Sequence, residues 1–347
     1  MARRITIHDV AREAGVAAST VSRAFSMPER ISAPTREHVV TVAQRLGYRP
    51  NPVARALPRG KTQTLALLVP DITNPFFFGL IRGAERQAAS AGYTMVLADT
   101  GESATVERTH VERLTGGVDG FVLASSRLTD EGLRDIIATQ SAVVVNRVIG
   151  DDIPCVVINE EQGMRQAVEH LVSLGHRRIA YLSGPSTSWS NRTKWRALQS
   201  SGRRLGVPIV KLGPFSPTVA GGAAAADAVL VAAATALIAF NDLLAIGAAR
   251  RFLARGIAVP EQMSIVGCDD IFGADFCQPP LTTLSADIEQ AGRSAIDLLL
   301  SGLGRADGRP GSQPDNPTNP PAVADRVVLA SHLLIRESTG PAPATAR

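Results

Sequence analysis

The stretch TIHDVAREAGV, residues Thr6–Val16, and the stretch ASTVSRAF, residues Ala18–Phe25, decide the fold of the amino-terminal part of this chain. The first predicts a helix that stops at Gly15, which supplies the left-handed backbone of a tight interhelical turn. The second predicts another helix. Ser19, Ser22 and Arg23 share the face on which a recognition helix contacts bases and phosphates. The residues at spacings that bury the opposite face of each helix are Val10, Ala11, Ala14, Val16, Val21 and Ala24.

Charge is concentrated in the same region. Residues 1–60 contain ten Arg, no Lys and four acidic residues, a local net charge of +6, whereas the whole chain of 347 residues carries +4. The remainder is therefore slightly acidic. A basic end on a nearly neutral body indicates that one end contacts a polyanion. A solvated basic surface without a partner is the alternative.

Two further segments follow in this basic region. Thr35–Leu46 has apolar residues at helical spacing and predicts a third helix, so residues 1–50 form an all-α head. Asn51 and Pro52 favour the start of another helix, and Pro58 ends it after Leu57. A helix this short is not stable alone in water, and we expect DNA to support it. Residues 51–61 are therefore predicted to be a hinge helix and linker.

From residue 62 the pattern alternates apolar strands and amphipathic helices, and it restarts after Glu160. Such a pattern predicts parallel sheets covered on both faces, and two runs predict two α/β lobes with a ligand cleft at the carboxyl ends of the strands. We assign residues 62–340 to this body, with a loop at Gly302–Ala324, a last strand at Val327–Ile335 and a disordered tail at 341–347. The predicted strands are Leu65–Val69, Thr94–Ala98, Phe121–Ala124, Val143–Val145, Ile179–Ser183, Ala236–Phe240 and Ser264–Cys268; the helices are Phe76–Ala91, Thr105–Leu114, Glu160–Leu174, Lys194–Leu205, Leu243–Arg255 and Ile288–Leu300.

Composition indicates the compartment. The three cysteines are odd in number and lack metal-ligand spacing, which is typical of a reduced cytosol. No apolar signal region follows the first residues, and no apolar run reaches the ~18 residues of a membrane span. We expect a cytoplasmic, nucleoid-associated protein without membrane contact.

These motifs together resemble the lactose-repressor family of bacterial transcription regulators, over residues 5 to about 340. The resemblance implies an α/β fold with an all-α helix-turn-helix head and a two-lobed, doubly wound body like that of the periplasmic binding proteins. The matching blocks are Thr6–Val16, Thr20–Arg23, Gly47–Asn51, Ala54–Leu57, Val69–Phe77, Leu174–Ala180, Phe240–Asp242, Val266–Asp270, Pro279–Thr283 and Arg336–Gly340.

For the head, the resemblance implies a homodimer on a pseudo-palindromic operator of double-stranded DNA. Hinge helices meet in the minor groove, where Leu57 would open a base step, unless it packs on its own body. Arg23 would bind a guanine, with a phosphate contact as the alternative. The family usually has Ser at the position of Ala17, so a helix cap is missing and lower operator affinity is expected. The base-reading residues implied are Ala18, Ser19 and Arg23, and the backbone-positioning residues are Thr6, His8, Ser22, Asn51 and Arg55.

For the body, the resemblance implies a small-molecule effector in the cleft. Asp269 and Asn241 are suited to vicinal hydroxyls, which favours a sugar. Lys194 stands where the family commonly has a clamping Arg, and the neighbouring Arg192 is the alternative clamp. Phe76 and Phe77 either stack on the ligand or pack in the hydrophobic core without contacting it. The full predicted effector set is Asn74, Phe76, Phe77, Asn146, Ser190, Arg192, Lys194, Phe215, Asn241 and Asp269.

The predicted function is therefore a DNA-binding regulator of transcription, a repressor that an effector switches, without enzymatic activity or cofactor. One alternative is a sugar-binding or transport protein with the same body, but the basic head and the missing secretion signal argue against it. Another is a cofactor-dependent α/β enzyme. No glycine-rich dinucleotide motif follows the first strand and no nucleophile elbow is present, so this alternative has no sequence support.

Overall fold

The computed structural model describes residues 5–48, 61–307 and 325–344. Contacts divide the chain into two units, residues 1–64 with 116–119, and residues 65–115 with 120–347. The predicted hinge helix lies outside the described residues, as do residues 308–324 of the predicted loop. Among the helices of the described ranges, none has the length and hydropathy that a membrane crossing needs.

The head consists of three α-helices and one short 3-10 turn. Helix α1 spans Ile7–Glu13, α2 spans Ala18–Ser26, the turn spans Pro28–Arg30 and α3 spans Ala33–Leu46. Fully buried Val10, Val21 and Val39, one from each α-helix, form the centre of its core. Gly15, between α1 and α2, has φ of +63°, the left-handed conformation that the sequence predicts.

The body consists of two six-stranded sheets with helices on their faces. The first lobe contains β1 (Thr64–Val69), α4 (Phe76–Ser90), β2 (Thr94–Asp99), α5 (Ala104–Leu114), β3 (Gly120–Ala124), α6 (Asp130–Thr139), β4 (Ala142–Val145) and β5 (Cys155–Ile158). The second contains α7 (Glu160–Ser173), β6 (Ile179–Leu182), α8 (Trp189–Leu205), β7 (Ile209–Leu212), α9 (Val219–Val231), β8 (Ala236–Ala239), α10 (Asp242–Ala254), β9 (Ser264–Cys268) and β10 (Thr282–Ala286). The chain then returns through α11 (Ile288–Asp307), β11 (Arg326–Leu329) and β12 (Ser331–Leu334).

The strand orders are β11-β5-β4-β3-β1-β2 in the first sheet and β12-β10-β9-β8-β6-β7 in the second. The pairings β11-β5, β5-β4, β4-β3 and β3-β1 of the first sheet and β10-β9, β9-β8, β8-β6 and β6-β7 of the second are parallel, and β10 pairs with β12 antiparallel. The chain passes between the sheets three times, after β5, after β10 and after β11. These passages hold the two lobes side by side, and the predicted doubly wound architecture is confirmed.

The structure corrects several predicted boundaries. The single strand predicted at Val327–Ile335 is two strands, because the chain leaves one sheet and joins the other at Ala330. Helix α8 begins at Trp189 rather than Lys194, and α11 continues through Gly302 to Asp307, into the predicted loop. The predicted disorder of the tail is wrong at Ala342, whose backbone N–H donates to the carbonyl of Leu174 at 2.8 Å.

Helices α4 and α11 pack closely although they lie far apart in sequence. Gly83 allows the approach, because a Cβ at this position would overlap the carbonyl group of Glu289. Leu80, Ala84, Ala291 and Ala295 are buried at the same contact. The first lobe is therefore held together by a helix that the chain contributes only after it has completed most of the second lobe.

Candidate effector cleft and DNA-binding face

The cleft between the lobes lies at the carboxyl ends of the strands, where parallel sheets place their ligand sites. The space inside it that the centres of water-sized molecules can occupy is about 60 Å³. Eight of the ten predicted effector residues line it. They are Asn74, Phe76, Phe77, Asn146, Ser190, Lys194, Asn241 and Asp269.

The other two predicted residues lie outside this lining. Phe215 borders a neighbouring opening, which shares Glu102 and Pro217 with the main cleft. Arg192 donates from Nη1 to the carbonyl oxygen of Thr187 at 3.3 Å. Of the two alternative clamps, Lys194 is the one in the cleft.

Lys194 lies on α8 with only 4% of its surface exposed. Its Nζ donates to the carbonyl oxygen of Phe240 at 2.9 Å and lies 4.9 Å from the centre of the Phe240 ring. The same Nζ is 3.7 Å from Oε1 of Glu160 and 3.8 Å from Oδ1 of Asp269. One ammonium group therefore faces two carboxylates at the bottom of the cleft.

Burial and charge act in opposite directions on these groups. Burial lowers the pKa of Lys194, but the carboxylates of Glu160 and Asp269 outweigh it, and the pKa lies above its ordinary value. Burial raises the pKa of Asp269 well above the ordinary value of an aspartate, although the ammonium of Lys194 lowers it. The ammonium thus stays charged, while burial makes Asp269 costly to ionise.

The first lobe contributes a second ion pair, whose cation finds its partners within the same lobe. Arg127, in the loop after β3, donates from Nε to Oε2 of Glu102 at 2.5 Å and from Nη1 to the carbonyl oxygen of Ser125 at 2.7 Å. Its backbone N–H donates to Glu107, whose pKa burial raises. Arg127 therefore faces two carboxylates of its own and brings no surplus positive charge to the cleft.

Four non-glycine residues that line the cleft or its neighbouring opening have left-handed backbone. Their φ values are +60° at Glu102, +47° at Ser125, +55° at Asn146 and +116° at Asp269. Such conformations cost roughly 1–3 kcal/mol each and persist where the surroundings impose them, often at ligand sites. Their concentration at this edge of the sheets supports a binding role for the cleft.

Asn241 is engaged in the fold as well as lining the cleft. It caps α10, because its Oδ1 accepts from the backbone N–H of Leu244 at 3.0 Å, and its Nδ2 donates to the carbonyl oxygen of Pro217 at 3.0 Å. The next residue, Asp242, is fully buried, and burial raises its pKa to about 7. This end of α10 is thus fixed rigidly beside the cleft.

Sequence reasoning missed Glu160, Glu102, Arg127 and Ser188, which also line the cleft. Ser188 is also the N-cap of α8, and Glu160 accepts from the hydroxyl of Ser190 at 2.5 Å. A signal for Glu160 was available, since it follows directly on a buried strand at the first passage between lobes. Arg127 and Glu102 gave no signal, because their pairing joins two separate loops.

In the head, the residues predicted to read bases lie on one exposed side of α2. Ser19 and Arg23 are exposed, while Ala18 and Ser22 are half-buried. Thr6 and His8 are exposed on and beside α1. The backbone N–H of Thr6 donates to Oδ2 of Asp9 at 2.9 Å as part of a capping box, and its hydroxyl donates to the same oxygen at 2.7 Å. Asn51, Arg55 and Leu57 lie outside the described residues.

Comparisons with known proteins agree with this architecture. Residues 6–51 match the model of bacterial regulatory proteins of the lacI family, and residues 168–339 match that of the periplasmic binding protein-like domain. The transcriptional repressor CytR of Escherichia coli is 33% identical over 302 residues, 85% of this chain and 89% of the relative. The transcriptional regulator DegA of Bacillus subtilis is 32% identical over 97% of this chain and 99% of the relative.

Solved structures of whole regulators are also similar. A lac repressor dimer bound to operator and an anti-inducer has a TM-score of 0.82 at 26% identity, and covers 97% of this chain and 100% of its own. A complex of the regulator CelR with cellobiose has a TM-score of 0.68 at 29% identity, with 96% of this chain and 100% of that chain covered.

Fold, cleft and relatives define a ligand-responsive, DNA-binding regulator of transcription, and not an enzyme. The chain belongs to the lacI family of bacterial regulatory proteins.

Proposed function

We propose that the head reads a two-fold symmetric operator and that the protein binds it as a homodimer. Ala18, Ser19 and Arg23 on α2 are the base-reading residues of this proposal, and Thr6, His8 and Ser22 position the backbone. The exposure of Ser19 and Arg23 on one side of α2 supports these roles. Asn51, Arg55 and Leu57 act in the hinge. A regulator of this kind works in the cytoplasm at the nucleoid.

The effector proposed for the cleft is a sugar or a similar polyol. The observation that carries this proposal is the lining itself, in which three asparagine amides, serine hydroxyls, carboxylates and aromatic rings converge. Such groups bind vicinal hydroxyls and stack on the apolar face of a sugar ring. The related regulators solved with cellobiose and with ribose support the class. A change of angle between the lobes on binding would control whether two hinges meet on DNA.

The experiment is a thermal-shift screen of full-length protein against neutral, amino and acidic sugars and nucleosides, followed by operator binding in the presence of each hit. We expect at least one hit to raise the melting temperature and to change operator affinity by about 5- to 150-fold, the usual range of allosteric coupling. Asn146→Ala should weaken every hit, because this residue is 93% buried and presents its amide to the cleft. Hits that bind equally well to this variant would contradict the placement of the effector.

A further inference from the structure

The bottom of the cleft holds two carboxyl groups and one ammonium group. The carboxylates of Glu160 and Asp269 face the single ammonium of Lys194, and this Nζ is already bound to the carbonyl of Phe240. The other cation in the lining, the guanidinium of Arg127, is matched by Glu102. Among the described residues, no cationic group of the lining is left to balance the second carboxylate.

The two carboxylates differ in how the protein stabilises them. Glu160 is the first residue of α7, where the helix dipole favours a negative charge, and it accepts from Ser190 at 2.5 Å. Asp269 has neither support. It follows β9 in a strained conformation, its side chain is only 13% exposed, and it accepts no hydrogen bond from any residue that the structure describes. This carboxylate is largely buried and pairs with the Lys194 ammonium at 3.8 Å, so a ligand in the cleft can bring the close donors that it lacks.

We propose, on the basis of the proposed effector function, that the effector is an amine-bearing polyol whose ammonium group lies against Asp269 and Glu160. This ligand supplies the positive charge that the cleft lacks, and its hydroxyl groups use the amides and serines of the lining. Glu160 is then a specificity-determining residue that selects for positive charge. Lys194 is a positioning residue that holds the two carboxylates together, and it is not the clamp that its place in the sequence indicates.

Charge complementarity should make the affinity for a cationic ligand much higher than that for an anionic one. Inside the cleft, an ammonium of the ligand gains two carboxylate partners, while a phosphate or carboxylate of the ligand meets the same groups as like charges. A neutral sugar must bind with the excess charge uncompensated or with a proton retained on Asp269, whose pKa burial raises.

The test uses full-length protein and matched sets of glucose, galactose and mannose, each as the neutral sugar, the 2-amino sugar and the uronic acid. Affinities are measured by calorimetry at pH 7 in phosphate buffer, which contains no amine, at constant ionic strength. We expect one amino sugar to bind at least about tenfold more tightly than its neutral parent, with the acid weaker still. An acid that binds best, a neutral parent that binds as well as its amine, or no binding by any member overturns the proposal.

Glu160→Gln keeps the shape of the side chain and the acceptor for Ser190. It should reduce the preference for the amino sugar over its parent by about tenfold or more. The matched control is Glu161→Gln, which removes an exposed carboxylate from the same turn of α7 and should leave the preference unchanged. An unchanged preference in Glu160→Gln overturns the role of this residue.

A measurement without ligand guards against misfolding of the variant. Because Glu160→Gln takes one of two carboxylate partners from the buried ammonium of Lys194, its melting temperature should fall by a few degrees. A circular dichroism spectrum equal to that of the wild type shows that the variant folds, and its affinities for the sugars then decide the role of Glu160. Failure here is distinguishable from failure of the proposed function. A neutral sugar that binds best and changes operator affinity supports the proposed effector function and contradicts the preference for an amine. An amino sugar that binds best without changing operator affinity supports the preference and contradicts the control of DNA binding by the effector.

Discussion

His176 and Gly340 are joined by a buried hydrogen bond of 3.1 Å that ties the end of the chain to the second lobe. The carbonyl of Gly340 only accepts, so Nε2 of His176 carries the proton, and Nδ1 accepts from the hydroxyl of Thr235 at 2.8 Å. The ring is fully buried beneath β6 and β9. The neutral form of the imidazole thus satisfies both nitrogens inside the protein.

This arrangement predicts a specific dependence of stability on pH. Burial lowers the pKa of His176, an effect that the carbonyl of Gly340 only partly offsets. Because the unfolded chain then binds the proton more tightly, the contribution of His176 is fully present above its ordinary pKa of about 6.5 and decreases as the pH falls toward the folded value. The stability difference between wild type and His176→Gln should therefore shrink between pH 7 and pH 5.

Urea denaturation monitored by tryptophan fluorescence measures this difference, because both tryptophans, Trp189 and Trp195, lie on α8 of the second lobe. The control is His332→Gln, which removes an exposed histidine from β12 without opening the core. A difference between wild type and His176→Gln that grows as the pH falls would contradict the neutral, buried imidazole.

The contact between α4 and α11 predicts opposite effects for two glycine substitutions. Gly83→Ala places a methyl group into the backbone of Glu289 and should destabilise the protein by about 1–3 kcal/mol, the usual cost of overpacking. Gly302→Ala, on α11 with no atom within 4 Å of the new Cβ, should stabilise by about 0.5–1 kcal/mol through helix propensity. The melting temperatures of the two variants, each compared with that of the wild type, test whether the two substitutions act in opposite directions. Equal shifts would mean that the close approach of α4 and α11 is not as described.

The missing cap of α2 predicts a stabilising substitution in the head. Ala17 is the N-cap residue and provides no side-chain acceptor for the first turn. Ala17→Thr should stabilise the head by about 1 kcal/mol, whereas Ala17→Val, which has the same shape without the hydroxyl, should not. Thermal denaturation followed by circular dichroism compares the three proteins. Stabilisation by valine as large as by threonine would point to packing in place of capping.

The pattern of the sequence predicted the architecture well where one physical signal dominated. The glycine turn at Gly15 and the buried apolar strands needed only local conformation and hydrophobicity. Helix α9 was missed because its sequence is apolar on all sides and shows no amphipathic period, and β10 was missed because polar Thr282 and Thr283 are buried in it. The split of the last strand depends on which sheet edge is free, and that is settled only by the tertiary fold.

The cleft residues also divide into those that local sequence signals predict and those that depend on the tertiary fold. Those that directly follow a strand, such as Asn146 and Asp269, were predictable because the carboxyl ends of parallel strands meet at one edge. The ion pair between Lys194 and Glu160, which are 34 positions apart in the sequence, was not predictable. It depends on how α7 and α8 pack against each other.

Arg23 predicts a change in operator specificity that differs from a general loss of charge. A bidentate contact to guanine is worth about 1–3 kcal/mol of discrimination, so Arg23→Ala should lose its preference at one base pair of each half-site. Arg36→Ala removes another exposed arginine, on α3, and should weaken binding to all sequences alike. Affinities for a set of single-base operator variants distinguish the two. Uniform weakening by Arg23→Ala would assign this residue to phosphate.

The central claim is that the basic head recognises a two-fold symmetric DNA sequence. The most direct measurement selects binding sites from random duplexes with full-length protein, and then compares the selected duplex with a scrambled one by fluorescence anisotropy at 150 mM salt. We expect a palindromic consensus and an affinity at least about 10³-fold above that for the scrambled duplex. Equal affinity for both duplexes, with and without the sugars of the thermal-shift screen, would contradict the claim.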